Sequence, residues 1–250
     1  EEVEGVGIGV PGPVNSKGEV SRAVNLFWGY KNVVGEMEEL TGLHAEAGND
    51  ANVAALGEAW KGAAAGSSDV IMVTLGTGVG GGIIINGKIL IGENGAGGEI
   101  GHMCVNLEET DTCGCGRHGC LEQYASATGI SRLARKKMEH ETRATILTKE
   151  DLSAKAVFDA VKEGDEVAIE VATEMGNYLG HAMADMAAVL DPAVFVIGGG
   201  VSKAGEVLLS FIEKPFMEKA FFANKNVKFK LATLGNDAGI CGAAKLVLED

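Results

Sequence analysis

Residues 95–126 read G-A-G-G-E-I-G-H-M-C-V-N-L-E-E-T-D-T-C-G-C-G-R-H-G-C-L-E-Q-Y-A-S. Cys113, Cys115 and Cys120 are spaced C-x-C-x4-C, His102 lies upstream of them, and Glu99 and Glu122 stand just outside the set. Three thiolates and one imidazole are donors that Zn²⁺ takes in closed tetrahedral sites. Gly114, Gly116 and Gly119 let a short loop turn its sulfurs toward one ion. Cys113 and Cys115 are too near along the chain to bridge each other without strain, which favours a metal over a disulfide. A redox cluster competes, weakened by an odd total of five cysteines. Buried unliganded thiols compete too, weakened by the scarcity of apolar neighbours. The fourth donor stays open on spacing, because Cys104, two residues beyond His102, would make a four-cysteine site.

E-I-G-H at Glu99 to His102, followed by C-G-C-G-R-H-G-C-L-E at Cys113 to Glu122, resembles the signature of the ROK family of bacterial sugar kinases and repressors. C-L-E-Q-Y-A-S is similar to its glucokinase branch. The resemblance implies an α/β fold of the actin-like, ribonuclease H-like kind, with two domains around a cleft. Residues 1–57 would be the remaining part of a small N-terminal domain, 58–236 a larger one, and a helix over 237–250 would pack back on the first. The resemblance also implies that zinc holds one ring nitrogen of His102 while the other meets a sugar; metal on one nitrogen fixes the tautomer that the other presents. The implied reaction is transfer of the γ-phosphoryl group of ATP, with Mg²⁺, to the 6-hydroxyl of glucose. Asp50 would be the general base, and Asn49, Glu99, His102 and Glu122 would hold sugar hydroxyls. Relatives are commonly dimers or tetramers, so a homo-oligomer is expected.

Upstream, V-E-G-V-G-I-G-V at Val3 to Val10 predicts a strand, closed by Pro11-Gly12-Pro13. Asn25-Leu26-Phe27-Trp28 fits ordinary core or the edge of a pocket, and the family has a similar stretch near its sugar cleft. A helix over Val33 to Leu40, a strand over Leu43 to Ala47 and a further helix after G-N-D-A-N follow. Asp50 suits an N-cap or first-turn acid. It equally suits a carboxylate taking the proton of a hydroxyl in a cleft, with Asn49 beside it, and the match to the family's N-D-A-N favours the second.

Val70 to Leu75 predicts a strand running into G-T-G-V-G-G-G at Gly76 to Gly82. The string contains G-x-G-x-x-G, but a dinucleotide fingerprint must open a helix, whereas Ile83-Ile84-Ile85 continues as strand and Asn86-Gly87 turns. A phosphate-cradling hairpin remains, with Gly76, Thr77, Gly78 and Gly80 as candidate contacts. So many glycines lower stability with no structural benefit visible in the sequence, which weighs against a merely flexible hairpin.

Downstream, Leu121 to Met138 reads as mostly helical, 139–149 as a polar loop, and Asp165 to Leu190 as a long helix with Val167, Val171, Met175, Leu179, Met183, Met186 and Leu190 on one stripe. His181 on that helix reads as a surface residue. Ala193 to Ile197 predicts a buried strand, and Gly198, Gly199 and Gly200 after it could lie against a nucleoside, since a simple turn explains one glycine and not three. Val227 to Leu231 predicts a strand and Gly239 to Val247 a closing helix.

A formal net charge of −14 and a pI near 4.8 argue against an extended face for nucleic acid. No run approaches a membrane span, and the cysteine usage suits a reducing cytoplasm. The family's acidic D-x-G-G-T phosphate motif does not occur in the chain, so a longer protein is expected, with either that hairpin or DNA-binding helices ahead of residue 1. A ROK repressor and a kinase for N-acetylmannosamine or fructose are the alternatives.

Overall fold

The computed structural model describes residues 3–23 and 26–248. β1 (Gly5–Val10) leads into a small antiparallel ladder of β2 (Glu19–Val20) and β3 (Lys31–Asn32), and then α1 (Val33–Thr41). α1 begins where Asn32 Oδ1 accepts the Gly35 N–H and stops at Gly42, whose φ of 70° costs glycine little. β4 (His44–Asn49) pairs in parallel with β1, Gly5 opposite His44 and Val10 opposite Asn49. α2 (Asp50–Lys61) follows without a loop. Trp28 packs against the small core of Val10, Val14 and Val20, while Asn25 lies outside the described residues.

β5 (Val70–Leu75), β6 (Val79–Ile85) and β7 (Lys88–Ile89) form an antiparallel meander. Next come α3 (Glu122–Ala125), α4 (Ala127–His140), α5 (Ala154–Lys162) and α6 (Glu166–Leu190). β8 (Val194–Gly198), α7 (Glu206–Lys219), β9 (Lys228–Leu231) and α8 (Asp237–Val247) complete the chain. The five-stranded sheet has the order β7-β6-β5-β8-β9, antiparallel on one side of β5 and parallel on the other. Side chains alternate across it: Ile71, Val73, Leu75, Phe195 and Ile197 face the core under α6 and α7, while Val70, Met72, Val194 and Val196 face Ala55 and Leu56 of α2. Both faces are covered, which is why β5 and β8 read as unbroken apolar runs.

The expected stripe on α6 is buried from Val167 to Met186, with Leu190 only half-buried, and His181 is exposed. The helix expected over Leu121 to Met138 is two helices. Ser126 adopts extended backbone (φ −74°, ψ 167°), and its hydroxyl donates to Glu122 O at 2.7 Å and accepts the Gly129 N–H at 2.9 Å. A serine that offers the backbone such bonds ends one helix and caps the next.

α8 packs against α2, β1 and β4 at glycine contacts. A Cβ on Gly242 would stand 1.7 Å from Val53 O, and one on Gly57 2.1 Å from Ala238 O. Fully buried Glu58 fastens the end of α2 to the segment before α8, accepting N–H groups of Ala63, Thr233 and Leu234 at 2.7, 2.9 and 2.8 Å. Those bonds offset the desolvation of its carboxylate.

Candidate active site and metal centre

The ligand atoms of His102, Cys113, Cys115 and Cys120 lie within 4.8 Å of one another. Cys115 and Cys120 Sγ are 3.6 Å apart, and Cys113 Sγ is 3.9 Å from His102 Nδ1. With Zn–S near 2.3 Å, the edge of a regular tetrahedron is about 3.8 Å, so the donor set fits zinc in chemistry and in spacing. Cys104 is outside this set and exposed, its thiol 3.7 Å from Asn106 O. The four-cysteine alternative is therefore not what the chain builds. Burial pushes the Cys120 thiol up to about 12 and raises Cys113 as well. At Cys115 burial also opposes ionisation, but hydrogen bonds from the Arg117 backbone and the neighbouring thiols outweigh it and bring the group down to about 7.

The loop keeps its shape through bonds that involve no metal. Gln123 Oε1 accepts the Cys120 N–H at 3.0 Å while its Nε2 donates to Asp111 O at 2.8 Å, joining the two ends of the cysteine loop. Glu109, ahead of Cys113, accepts from Arg132 at 2.8 Å and from the Tyr124 hydroxyl at 2.6 Å. Burial acts against the Glu109 carboxylate, yet these bonds hold it down at about 2. Arg132 also reaches Asp111 at 2.7 Å, so α3 and α4 grip the loop from below.

Asn49, Asp50 and Glu99 line one cleft of 280 Å³ together with Gly12, Arg22, Gly80 and Gly81. Asn49 is the N-cap of α2: its Oδ1 accepts from Ala51 and Asn52 N–H, and its Nδ2 donates to Gly12 O at 3.1 Å. Asp50 sits in the first turn, exposed, with Oδ1 on the Ala51 N–H at 2.9 Å and its second oxygen without a donor among the described residues. Glu99 precedes a 3-10 turn, Ile100–His102, that carries the chain from this cleft to the metal cluster. Glu122 is not in the cleft. Its Oε2 accepts the Val79 N–H at 3.0 Å and its Oε1 lies 3.9 Å from Cys113 Sγ, so it links the metal loop to the glycine hairpin.

In that hairpin only Gly76-Thr77-Gly78 is a turn; Gly80, Gly81 and Gly82 are strand residues of β6. Their structural use is evident, contrary to the sequence expectation. A Cβ would stand 2.6 Å from Thr74 Oγ1 at Gly80, 2.6 Å from Gly98 O at Gly81 and 2.4 Å from Ala55 Cβ at Gly82, so glycines let α2 and the 98–100 segment lie directly on the strand. The turn itself rests on the start of α4: Ala127 N–H donates to Gly76 O at 2.8 Å and Thr128 Oγ1 to Thr77 O at 2.7 Å. The Thr77 hydroxyl is left without a partner among the described residues.

Ala127 also borders a second cleft, of 380 Å³, between α5 and the segment Gly200–Ala204. Of the three glycines there, Gly198 packs under Met72, and Gly199 takes a φ of 85° where a Cβ would press within 2.5 Å of Leu75 O. Gly200 has open space before it and lines the cleft. The expectation that a turn accounts for only one of the three thus gives way to two structural glycines and one at the surface. Sequence reasoning missed the α5 wall, where Lys155, Phe158 and Lys162 present an apolar ring between cations. Their i, i+3, i+7 spacing was the available signal. Arg22, which no pattern marked, brings a cation to the acidic cleft.

A mixed five-stranded sheet covered by helices on both faces is the frame of an actin-like, ribonuclease H-like α/β protein. The chain belongs to the ROK family, whose model matches residues 1–250. It is 45% identical to a glucokinase of Halalkalibacterium halodurans, over 98% of this chain and 76% of that one. It is 36% identical to a glucokinase of Thermotoga maritima, over 100% of this chain and 80% of that one. Among solved structures it resembles a ROK family glucokinase from Streptomyces griseus in complex with glucose and AMPPNP, at TM-score 0.82 and 37% identity, covering 98% and 82% of the two chains.

Proposed function

We propose that this chain is the ATP-dependent glucokinase its relatives suggest, moving the γ-phosphoryl group of ATP to the 6-hydroxyl of glucose with Asp50 as general base. The observation that carries the reading is Asp50 itself. Its carboxylate keeps one oxygen free in a cleft whose wall, Gly80 and Gly81, continues straight from the Gly76–Gly78 turn. The turn separates the acidic cleft from the lysine-bordered one, so an acceptor hydroxyl beside Asp50 and a nucleotide beside Gly200 would meet at the hairpin. Positioning and charge stabilisation carry most of phosphoryl transfer, and a base supplies the remainder.

Glu99 and one remaining N–H of Asn49 are available to sugar hydroxyls in the cleft, and His102 turns its Nδ1 to the thiols, leaving Nε2 for the sugar. When bound, zinc would hold the four donors together and fix that tautomer. It would also take Cys113 as thiolate, which removes the S–H facing Glu122 Oε1 and leaves that oxygen for a hydroxyl. The nucleotide phosphates, carrying their Mg²⁺, would lie toward the Thr77 hydroxyl, with Lys155, Lys162 and Lys203 as the cations that border the cleft. The division of 1–57 plus 237–250 from 58–236 is supported by the packing of α8 on β1, β4 and α2.

The protein is to be assayed for ATP turnover against glucose, fructose and N-acetylmannosamine. Glucose is expected to give the highest kcat/KM. Turnover with none of the three, although ATP and sugar both bind, would sink the kinase reading in favour of a sugar sensor.

A further inference from the structure

The metal loop places two cysteines in direct opposition. Val105 N–H donates to Gly119 O at 2.8 Å and Leu121 N–H to Met103 O at 2.9 Å, and between these two bonds Cys104 faces Cys120 across an antiparallel bridge. This is the non-hydrogen-bonded kind of pair, in which the Cα atoms stand about 4.5 Å apart and both side chains leave on one face of the ladder. That separation falls within the span of a disulfide, roughly 4.4 to 6.8 Å between Cα atoms. The two thiols differ in circumstance: Cys104 is exposed and outside the metal cluster, whereas Cys120 is buried within it. A Cβ on Gly119 would stand 3.3 Å from Cys104 Sγ, so that thiol lies over the backbone immediately ahead of Cys120.

We propose that Cys104 is an oxidative modification site, taken by hydroperoxides and resolved by Cys120 as an intrachain disulfide that removes one donor from the metal centre. The inference rests on the zinc reading above. Cys104 and Cys115 are both exposed, but Cys115 belongs to the donor cluster. In the zinc-loaded protein Cys104 is therefore the exposed thiol left uncoordinated for a peroxide, and the opposed register puts a second sulfur within reach before further oxidation. In the first step the Cys104 sulfur takes one peroxide oxygen to become a sulfenic acid, and water leaves. In the second, the Cys120 sulfur, which bound zinc would hold as a thiolate, attacks the Cys104 sulfur, the S–S bond forms, and the hydroxyl departs with one proton from solvent as a second water. Two electrons pass from the two sulfurs to the peroxide, and three of the four donors remain. With His102 no longer held in a closed site, the sugar side of the cleft loses its fixed imidazole.

The pair is distinct from Cys115 and Cys120, whose sulfurs lie 3.6 Å apart and both belong to the donor cluster. Cys241, on α8, is elsewhere in the fold. The register therefore names one disulfide among those that five cysteines could form.

The test uses zinc-loaded protein, its metal first counted by elemental analysis, exposed to hydrogen peroxide in the presence of a chromogenic zinc chelator. The wild type is expected to release its zinc, to lose two hydrogens in mass, and to give a peptide map joining Cys104 to Cys120. Dithiothreitol and added zinc should restore the starting state. Cys104→Ser, which leaves the four donors intact, should hold the same metal and release it at least roughly tenfold more slowly. Equal release rates for the two proteins, or a map joining Cys115 to Cys120 or Cys113, would overturn the proposal. Protein that carries no zinc before oxidation would instead overturn the metal reading, and the Cys104 to Cys120 map would still decide the disulfide.

Discussion

The thiol-imidazole loop and the lysine-bordered cleft are assembled in opposite ways. All four donors of the first come from 102–120, and side chains of α3 and α4 brace that stretch from beneath. The second is lined from 127, 153–162 and 200–204, segments joined only by the fold. A local site has its geometry set by its own loop, so losing one donor should disable the ligand and spare the fold. A dispersed site shares its ligand among many weak contacts, so losing one should be felt only slightly.

The largest contrast is expected at Cys115. Cys115→Ala should reduce bound zinc to below about a tenth of the wild-type content and abolish measurable sugar binding, while thermal unfolding stays cooperative because Gln123 and Arg132 still hold the loop. Elemental analysis with titration calorimetry checks this, and metal-free protein that binds sugar normally would remove zinc from the account. Loss of the fold on removing Cys115 would show that the brace does not stand without metal.

The brace itself gives the next effect. Glu109→Gln should cost on the order of 2 kcal/mol at pH 7, since a carboxylate held near 2 in the fold is stabilised relative to its ordinary value near 4.5. The sign is set by that depression: the stabilisation is complete above pH 4.5 and fades as pH falls toward 2. Urea unfolding of both proteins should therefore show a gap that closes on acidification. A gap independent of pH would mean that Glu109 contributes packing and not charge.

The smallest effect belongs to the dispersed site. Lys162→Ala or Lys203→Ala should weaken ATP binding about three- to tenfold each, a partly screened cation apiece, with zinc content and glucose affinity unchanged. A hundredfold loss from either would contradict the picture of shared, weak contacts.

The same difference explains what the sequence disclosed. The clustered Cys113, Cys115 and Cys120, strand β5, α6 and the Asn49-Asp50 junction were legible because spacing or periodicity within one segment encodes them, whereas spacing left His102 and Cys104 open as the fourth member of the cluster. The break at Ser126 was not, since a serine inside an apolar helical pattern shows nothing of the hydroxyl bonds that make it a cap. Glycines misled for a related reason: Gly80 to Gly82 and Gly198 are required by Thr74 across the hairpin and by Gly98, Ala55 and Met72, partners remote in sequence. For Glu122, expected at a sugar, the bond of one carboxylate oxygen to Val79 N–H was not legible either, because it depends on the hairpin coming to rest on α3 and α4.

The central claim is that Asp50 is the base of a kinase and not only a helix-start acid, and steady-state kinetics of Asp50→Asn, at saturating glucose and ATP, tests it most directly. Asparagine keeps an oxygen for the Ala51 N–H, so the α2 start should survive. The account predicts a kcat lower by about two to four orders of magnitude, with glucose affinity, zinc content and melting temperature close to those of the wild type. A variant that turns over at near-normal rate would contradict it and leave Asp50 as part of the helix cap.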